Sequence, residues 1–411
     1  MPAPAPLPAF ENARARAPGP DLVRSLAILC VLACHDGIVM GSWWGWSPPL
    51  HVQYLGFYGV ALFFVLSGFL IGTVMLDLVD RDAPVSEWGV FLVRRWLRTL
   101  PAYYAWLLLV LLPLARFGPY GVTWDEARRV LPRFLSLTQN LWTGPVSGWF
   151  AVTWSLTVEE WFYALFPALF LLGRGCFLSR RTAFGATLGA FLVVPLVWRL
   201  SLPPTADWNE VTSKIVFCRL DSIGWGVAAA WAFRRWAFVG GRARWGLLAV
   251  GAALAAALWW QDRLPFRIGS PRFHRMADFD LCAIAFAACM PAAMRLRIPP
   301  ALSAVTAAGR SISTLSYPLY LGHLPMVLLA GDLRARHGIG RWDAVAVAVV
   351  LTVGGAMLSW RLVERPMLGL RPRQNRVPER GAGFAGSRGA DRPIVLVRGP
   401  GDRTGVVRSG S

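Results

Sequence analysis

Lysine is almost missing from this 411-residue chain: of its 42 basic residues only Lys214 is not arginine. Charge of either sign is scarce too, at 16% of residues, against 55% hydrophobic ones and a mean hydropathy of +0.46. Such a chain cannot hide its apolar surface in one soluble core. A cleavable leader is not expected, because residues 1–20 are rich in Pro and Ala, carry two Arg and hold no apolar run. The 6 cysteines, at positions 30, 34, 176, 218, 282 and 289, are scattered. Cys30 and Cys34 share a helix with His35, but two thiols and one imidazole on a single helix make a poor zinc site. Neither a metal centre nor a structural disulfide is expected, since Cys in apolar spans behaves as a small hydrophobe. No internal repeat is visible, and no soluble module is expected on either side of the apolar region.

Runs of around twenty apolar residues take the place of a soluble pattern. They fall at 22–40, 54–76, 100–117, 157–173, 183–200, 215–233, 245–260, 278–294, 312–331 and 342–362. The expected fold class is therefore an all-α integral membrane protein, a bundle of about ten transmembrane helices. Three regions are expected: a disordered cytosolic N-terminus over 1–20, a membrane domain over 21–367, and a disordered basic tail over 368–411 that lipid headgroups would attract. The formal charge of +19 does not indicate nucleic acid, because the arginines lie in short connections and in the tail. With the N-terminus inside, the cytosolic side collects Arg94, Arg95, Arg98, Arg174, Arg180, Arg181, Arg234 and Arg235, while the first outer loop, 41–53, has neither Lys nor Arg. That asymmetry places both termini in the cytosol of a multi-pass plasma (inner) membrane protein. Arg263, Arg267, Arg272 and Arg275 run against it, in a loop assigned outside.

Within these apolar runs stand a few polar residues, each expensive in lipid and each a candidate for function. Arg24 and His35 are eleven residues apart, which returns a helix to nearly the same face with the side chains about 16 Å apart along the axis. Ser67-Gly68 interrupts the second span at a point where another helix can approach closely. Arg95 and Arg98, at i and i+3, aim two guanidinium forks the same way, a geometry suited either to phosphate oxygens or to lipid headgroups. Thr157 and Glu160 have capping-box spacing, which leaves Glu159 without a structural duty among aromatic residues at an outer surface. Arg219 and Asp221, at i and i+2, cannot meet, so each needs a partner on another helix. Ser316, Tyr320 and His323 form one polar stripe, and Pro366 is expected to end the last span.

In order and at natural spacing, these residues resemble the bacterial acyltransferase family 3, polytopic membrane O-acyltransferases. The resemblance runs over 20–367. It rests on Arg24 with His35, Phe63 to Phe69, Arg95 with Arg98, Trp154 to Tyr163, Ser316 to His323 and Glu364 to Pro366. It implies transfer of an acyl group, acetyl by default, from acyl-CoA to a hydroxyl of a carbohydrate or of a secondary metabolite such as a macrolide. The implied catalytic residues are His35, Arg24 and Glu159. Arg95, Arg98, Ser67, Tyr317 and His323 are implied at the acyl-CoA site, and Trp154 and Arg219, expected toward the outer face with Glu159, at the acceptor site. The expected partners are acyl-CoA, the hydroxyl acceptor and membrane lipid, with no nucleic acid.

A thioester is already activated, so the chemistry chiefly needs a base for the alcohol. His35 suits that role, with an ordinary pKa near 6.5. Direct transfer is the expected route because no Ser, Thr or Cys stands visibly paired to a base; a transient acyl-enzyme is the other. The rival class is a secondary transporter for a sugar or organic anion, with His35 and His323 as proton-linked sites. Release of free CoA thiol separates the two.

Overall fold

The computed structural model describes residues 18–117, 123–143, 150–235, 242–261 and 271–373. Residues 1–17 and 374–411, which hold most of the two expected tails, lie outside it. About 85% of the structure is helical, and no strand occurs among the described residues. The helices are α1 (Pro18–Ser42), α2 (Leu50–Gln53), α3 (Leu55–Asp80), α4 (Val85–Phe117), α5 (Trp124–Leu135), α6 (Trp154–Gly175) and α7 (Arg180–Ser201). They continue with α8 (Leu220–Arg235), α9 (Arg242–Gln261), α10 (Pro271–Met294), α11 (Ser303–His337), α12 (Arg341–Ser359) and α13 (Arg365–Gly369).

A long helix stands at each place where the sequence shows an apolar run; among the described residues 7 helices are long and apolar enough to cross a membrane, so the expected count of about ten spans is not confirmed. Outside that set are α8, with 16 residues, and α4 and α10, whose N-terminal halves carry several charges.

Helix α3 is apolar on every side and accordingly lies in the middle of the bundle, against α1, α8 and α10. Its crossing with α8 depends on two glycines. A Cβ on Gly68 would fall 2.0 Å from the Ile223 carbonyl oxygen, and one on Gly226 2.2 Å from that of Val65. The Ser-Gly step thus does what its composition suggests: it lets two backbones touch. Helices α1 and α11 run side by side in the same direction. Ser25 Oγ donates to the Gly309 carbonyl at 2.7 Å near their starts, and His35 meets His323 further along both. At one end of the bundle Arg234 pairs with Asp77 and Asp80, and Arg174 with Asp82. This is the end that arginine bias assigns to the cytosol.

Two local expectations are corrected. Helix α6 begins at Trp154, three residues before Thr157, so Thr157 is no cap: its hydroxyl donates to the Thr153 carbonyl at 3.3 Å. Glu160 instead accepts a bond from Thr99 Oγ1 at 2.6 Å. The capping box stands at Thr123 and Glu126, where both reciprocal bonds form at the start of α5 and hold the Glu126 carboxyl below its ordinary pKa. Pro366 does not stop the chain's last helical stretch. The helical backbone runs on without a break through a π turn over Trp360–Glu364 into α13, whose second residue is Pro366.

Candidate functional site

Three arginines from two helices converge on one cavity of about 120 Å³. Its wall takes Arg24 from α1, Arg95 and Arg98 from α4, Ser67 from α3, Glu159 and Tyr163 from α6, and Ser316, Tyr317 and Tyr320 from α11. Two of the arginines are held by local structure. Arg24 Nη1 donates to Ser313 Oγ at 3.3 Å, and that hydroxyl donates to Asp21 Oδ1 at 2.8 Å. Arg95 lies over the Phe91 ring, its Cζ 5.6 Å from the centroid. Tyr317 donates to the Thr99 carbonyl at 2.7 Å, tying α11 to the turn of α4 that follows Arg98. Three guanidinium groups against one wall carboxylate leave the cavity positive, a setting for an anion.

Glu159 is not on the far side from these arginines, as its expected outer position requires. It shares their cavity, and its Oε2 accepts from Tyr163 at 3.0 Å. The reason is one of register. With α6 starting at Trp154, Glu159 lies more than one turn inside the helix, on the face turned to α3 and α4. The Tyr163 hydroxyl is also 2.7 Å from Ser67 Oγ. Ser67 is thus linked through a phenol to a carboxylate, a pairing that spacing in the sequence does not reveal.

His35 and His323 are not on the cavity wall. They meet behind it, His35 Nδ1 lying 3.0 Å from His323 Nε2, with the ring planes within 2°. Tyr320 joins the two places: its ring lines the cavity and lies 6.0 Å from the His323 ring and 6.1 Å from that of Phe63. The Tyr320 hydroxyl is bonded to Ser155 Oγ at 2.7 Å. His323 is fully buried. Its Nδ1 lies 2.8 Å from the Tyr320 carbonyl oxygen and 3.1 Å from that of Leu319.

Arg219 occupies a third place. It is fully buried, and among the described residues none of its three nitrogens has a hydrogen-bond partner. Its guanidinium lies among rings, 4.5 Å from the Phe279 centroid, 5.3 Å from Phe57, 5.5 Å from Phe64 and 5.8 Å from Trp154. Phe64 also lines the arginine cavity, so Arg219 and Trp154 both pack against one of its wall residues. Asp221 turns away to Arg199 of α7, which also bonds Asp280 of α10 at 2.6 Å; Trp225 Nε1 donates to the second Asp280 oxygen at 2.8 Å. One guanidinium group thus faces two carboxylates there. Arg199 and Tyr163 are the residues that sequence reasoning passed over. Arg199 ends an apolar run, a position that reads as an ordinary interfacial flank, and only its full burial marks it out. Among the described residues no group of three or more His, Cys, Asp or Glu is placed to hold a metal ion.

Compared with known proteins, the chain matches the family described as "Acyltransferase domain" over residues 18–361. It is 24% identical over 372 residues to the peptidoglycan O-acetyltransferase OatA of Listeria monocytogenes, across 85% of this chain and 55% of OatA. It is 26% identical over 374 residues to Nodulation protein 10 of Rhizobium leguminosarum bv. viciae, across 85% of this chain and 93% of that protein. The chain thus spans about half the length of OatA and nearly all of the rhizobial protein. No solved structure matches it.

Proposed function

The chain belongs to the acyltransferase family that it matches over residues 18–361, and from that membership we propose a membrane-bound O-acyltransferase moving an acyl group, acetyl first, from acyl-CoA to a sugar or metabolite hydroxyl. The observation that carries this reading is the positive cavity, in which Arg24, Arg95 and Arg98 surround Ser67, Tyr163 and Glu159. Cavities near 150 Å³ take up a benzene-sized molecule. A space of about 120 Å³ therefore suits part of a donor, such as its phosphates or its thioester arm, and not a whole coenzyme. Arg95 and Arg98 would grip phosphate oxygens by bidentate bonds. Arg24, nearest the start of α1, would hold the same charge from the other side.

His35 acts as the base in this scheme. Its ring takes the proton of the acceptor hydroxyl as that oxygen attacks the thioester carbonyl carbon. The C–O bond forms, the C–S bond breaks, and the leaving thiolate recovers the proton from His35, giving an ester and free CoA thiol. Tyr320, which lines the cavity and touches His323, is the side chain a thioester must pass. The name of OatA, a peptidoglycan O-acetyltransferase, supports a carbohydrate hydroxyl as acceptor. The protein is placed in the plasma membrane with both termini cytosolic, so that the arginine cavity faces the compartment that supplies acyl-CoA.

The experiment is a coupled measurement on protein in nanodiscs, given labelled acetyl-CoA and a panel of peptidoglycan fragments, lipid-linked sugars and macrolides. The reading expects one acceptor class to gain label and an equal amount of free thiol to appear. Movement of one of these compounds across a proteoliposome membrane with no thiol release would overturn it in favour of a transporter.

A further inference from the structure

We infer that His323 is a positioning residue that sets the tautomer of His35 and thereby selects which nitrogen receives the acceptor's proton. This rests on the reading of His35 as the base.

His323 Nδ1 lies within hydrogen-bond distance of two carbonyl oxygens, those of Leu319 and Tyr320. Carbonyl oxygens only accept, so Nδ1 must carry a hydrogen. The ring is fully buried, and among the described residues no carboxylate pairs with it or with His35. A buried cation without a counter-charge is costly, so the ring is neutral and its Nε2 holds a lone pair. That lone pair faces His35 Nδ1 at 3.0 Å. Nitrogens this close, in planes 2° apart with centroids 5.3 Å apart, describe two rings meeting edge to edge and not face to face. The contact is an in-plane hydrogen bond, and its hydrogen must come from His35 Nδ1.

His35 is therefore held with its hydrogen on Nδ1 and its lone pair on Nε2. Next to that nitrogen is Gly56, where a Cβ would stand 3.5 Å from it. A glycine there keeps side-chain atoms off the nitrogen that accepts the proton. Helix α11 supplies both the orienting ring and, through its own backbone, the fixed hydrogen behind it. A base oriented by a third group is the logic of hydrolase triads, with an imidazole and two carbonyls here in place of a carboxylate. The 288-residue separation of His35 and His323 leaves no trace of the pair in sequence spacing.

The test has two readouts. Nitrogen NMR of histidine-labelled protein in lipid, without substrate, reports which nitrogen of His35 is protonated. The wild-type protein is expected to show hydrogen on Nδ1, and His323→Leu to lose that form. In kinetics His323→Leu is expected to lower kcat by about 100-fold or more, the scale of general-base effects, with the KM for acetyl-CoA within about twofold of wild type. His323→Gln returns an amide oxygen near the position of Nε2 and is expected to recover much of the rate. If His323→Leu does not fold, the wild-type spectrum and His323→Gln still decide. Wild-type His35 protonated on Nε2 would overturn the inference even if acyl transfer is established. So would a His323→Leu enzyme with normal kcat, or one in which KM rises as far as kcat falls. An Nδ1–H form in a protein that transfers no acyl group would support the geometry and count against the enzyme.

Discussion

Replacing Arg98 by Ala should weaken the grip on the donor's phosphates while sparing the chemistry. Arg98 lines the cavity with Arg24 and Arg95, and these three supply its positive charge. A hydrogen bond to a charged group contributes about 1.5–3 kcal/mol. At about 1.4 kcal/mol per tenfold, loss of one such contact raises the KM for acetyl-CoA by roughly 10- to 150-fold. The KM for the acceptor and the rate at saturating donor should change by less than about threefold, since an interaction made equally in ground and transition states moves KM alone. Arg98→Lys restores the charge but not the fork, so it should recover only part of the loss. The assay is steady-state thiol release with two donors, acetyl-CoA and acetyl-pantetheine. The second has the thioester arm without phosphates, so its KM should be the same in wild type and Arg98→Ala. An equal rise with both donors would refute the phosphate contact. So would full activity in an Arg95→Lys, Arg98→Lys double variant, which would leave these residues as ordinary lipid-facing flanks.

Three further outcomes are expected. Arg199→Met should destabilise the folded protein by about 3–5 kcal/mol in a denaturation titration, because it leaves Asp221 and Asp280 uncompensated inside the bundle. An unchanged midpoint would mean the cluster carries no net stability. Arg219→Met should keep the midpoint within about 1 kcal/mol, since the guanidinium makes no hydrogen bond to lose. It should nevertheless raise the KM for the acceptor more than that for acetyl-CoA; parallel changes would exclude an acceptor role. For sidedness, a cysteine replacing Trp46, which is 56% exposed, in an active background without the native cysteines should react with an impermeant thiol reagent outside intact cells. Labelling only after permeabilisation would invert the bundle and remove the arginine cavity from the acyl-CoA pool.

Much of the bundle is legible in the sequence because lipid leaves few options. Apolar runs of helical length stand where the helices stand, and the Ser67-Gly68 step announces a close crossing that Gly68 and Gly226 then make. Clustering was legible in part. Arg95 and Arg98 face one way by spacing alone, and both line the cavity. The misplacement of Glu159 came from starting α6 three residues late, at a capping box that does not form. A start set three residues late leaves a residue's face unchanged but puts it about 4.5 Å too close to the helix end. The pairings of His35 with His323, Ser67 with Tyr163, and Arg199 with Asp221 and Asp280 were beyond reach for another reason. Each joins different helices, and helical periodicity says which face a residue occupies but not which neighbour that face meets.

The central claim is that this protein transfers an acyl group to a hydroxyl with His35 as the base. Its most direct test is single-turnover acyl transfer by wild type and His35→Gln, with membrane insertion and the unfolding midpoint measured on the same samples. The account predicts a folded, inserted variant whose transfer and thiol release both fall by about 100- to 10,000-fold, the range for a lost general base. A folded His35→Gln protein that keeps more than about a tenth of the wild-type rate, well above that range, would contradict it.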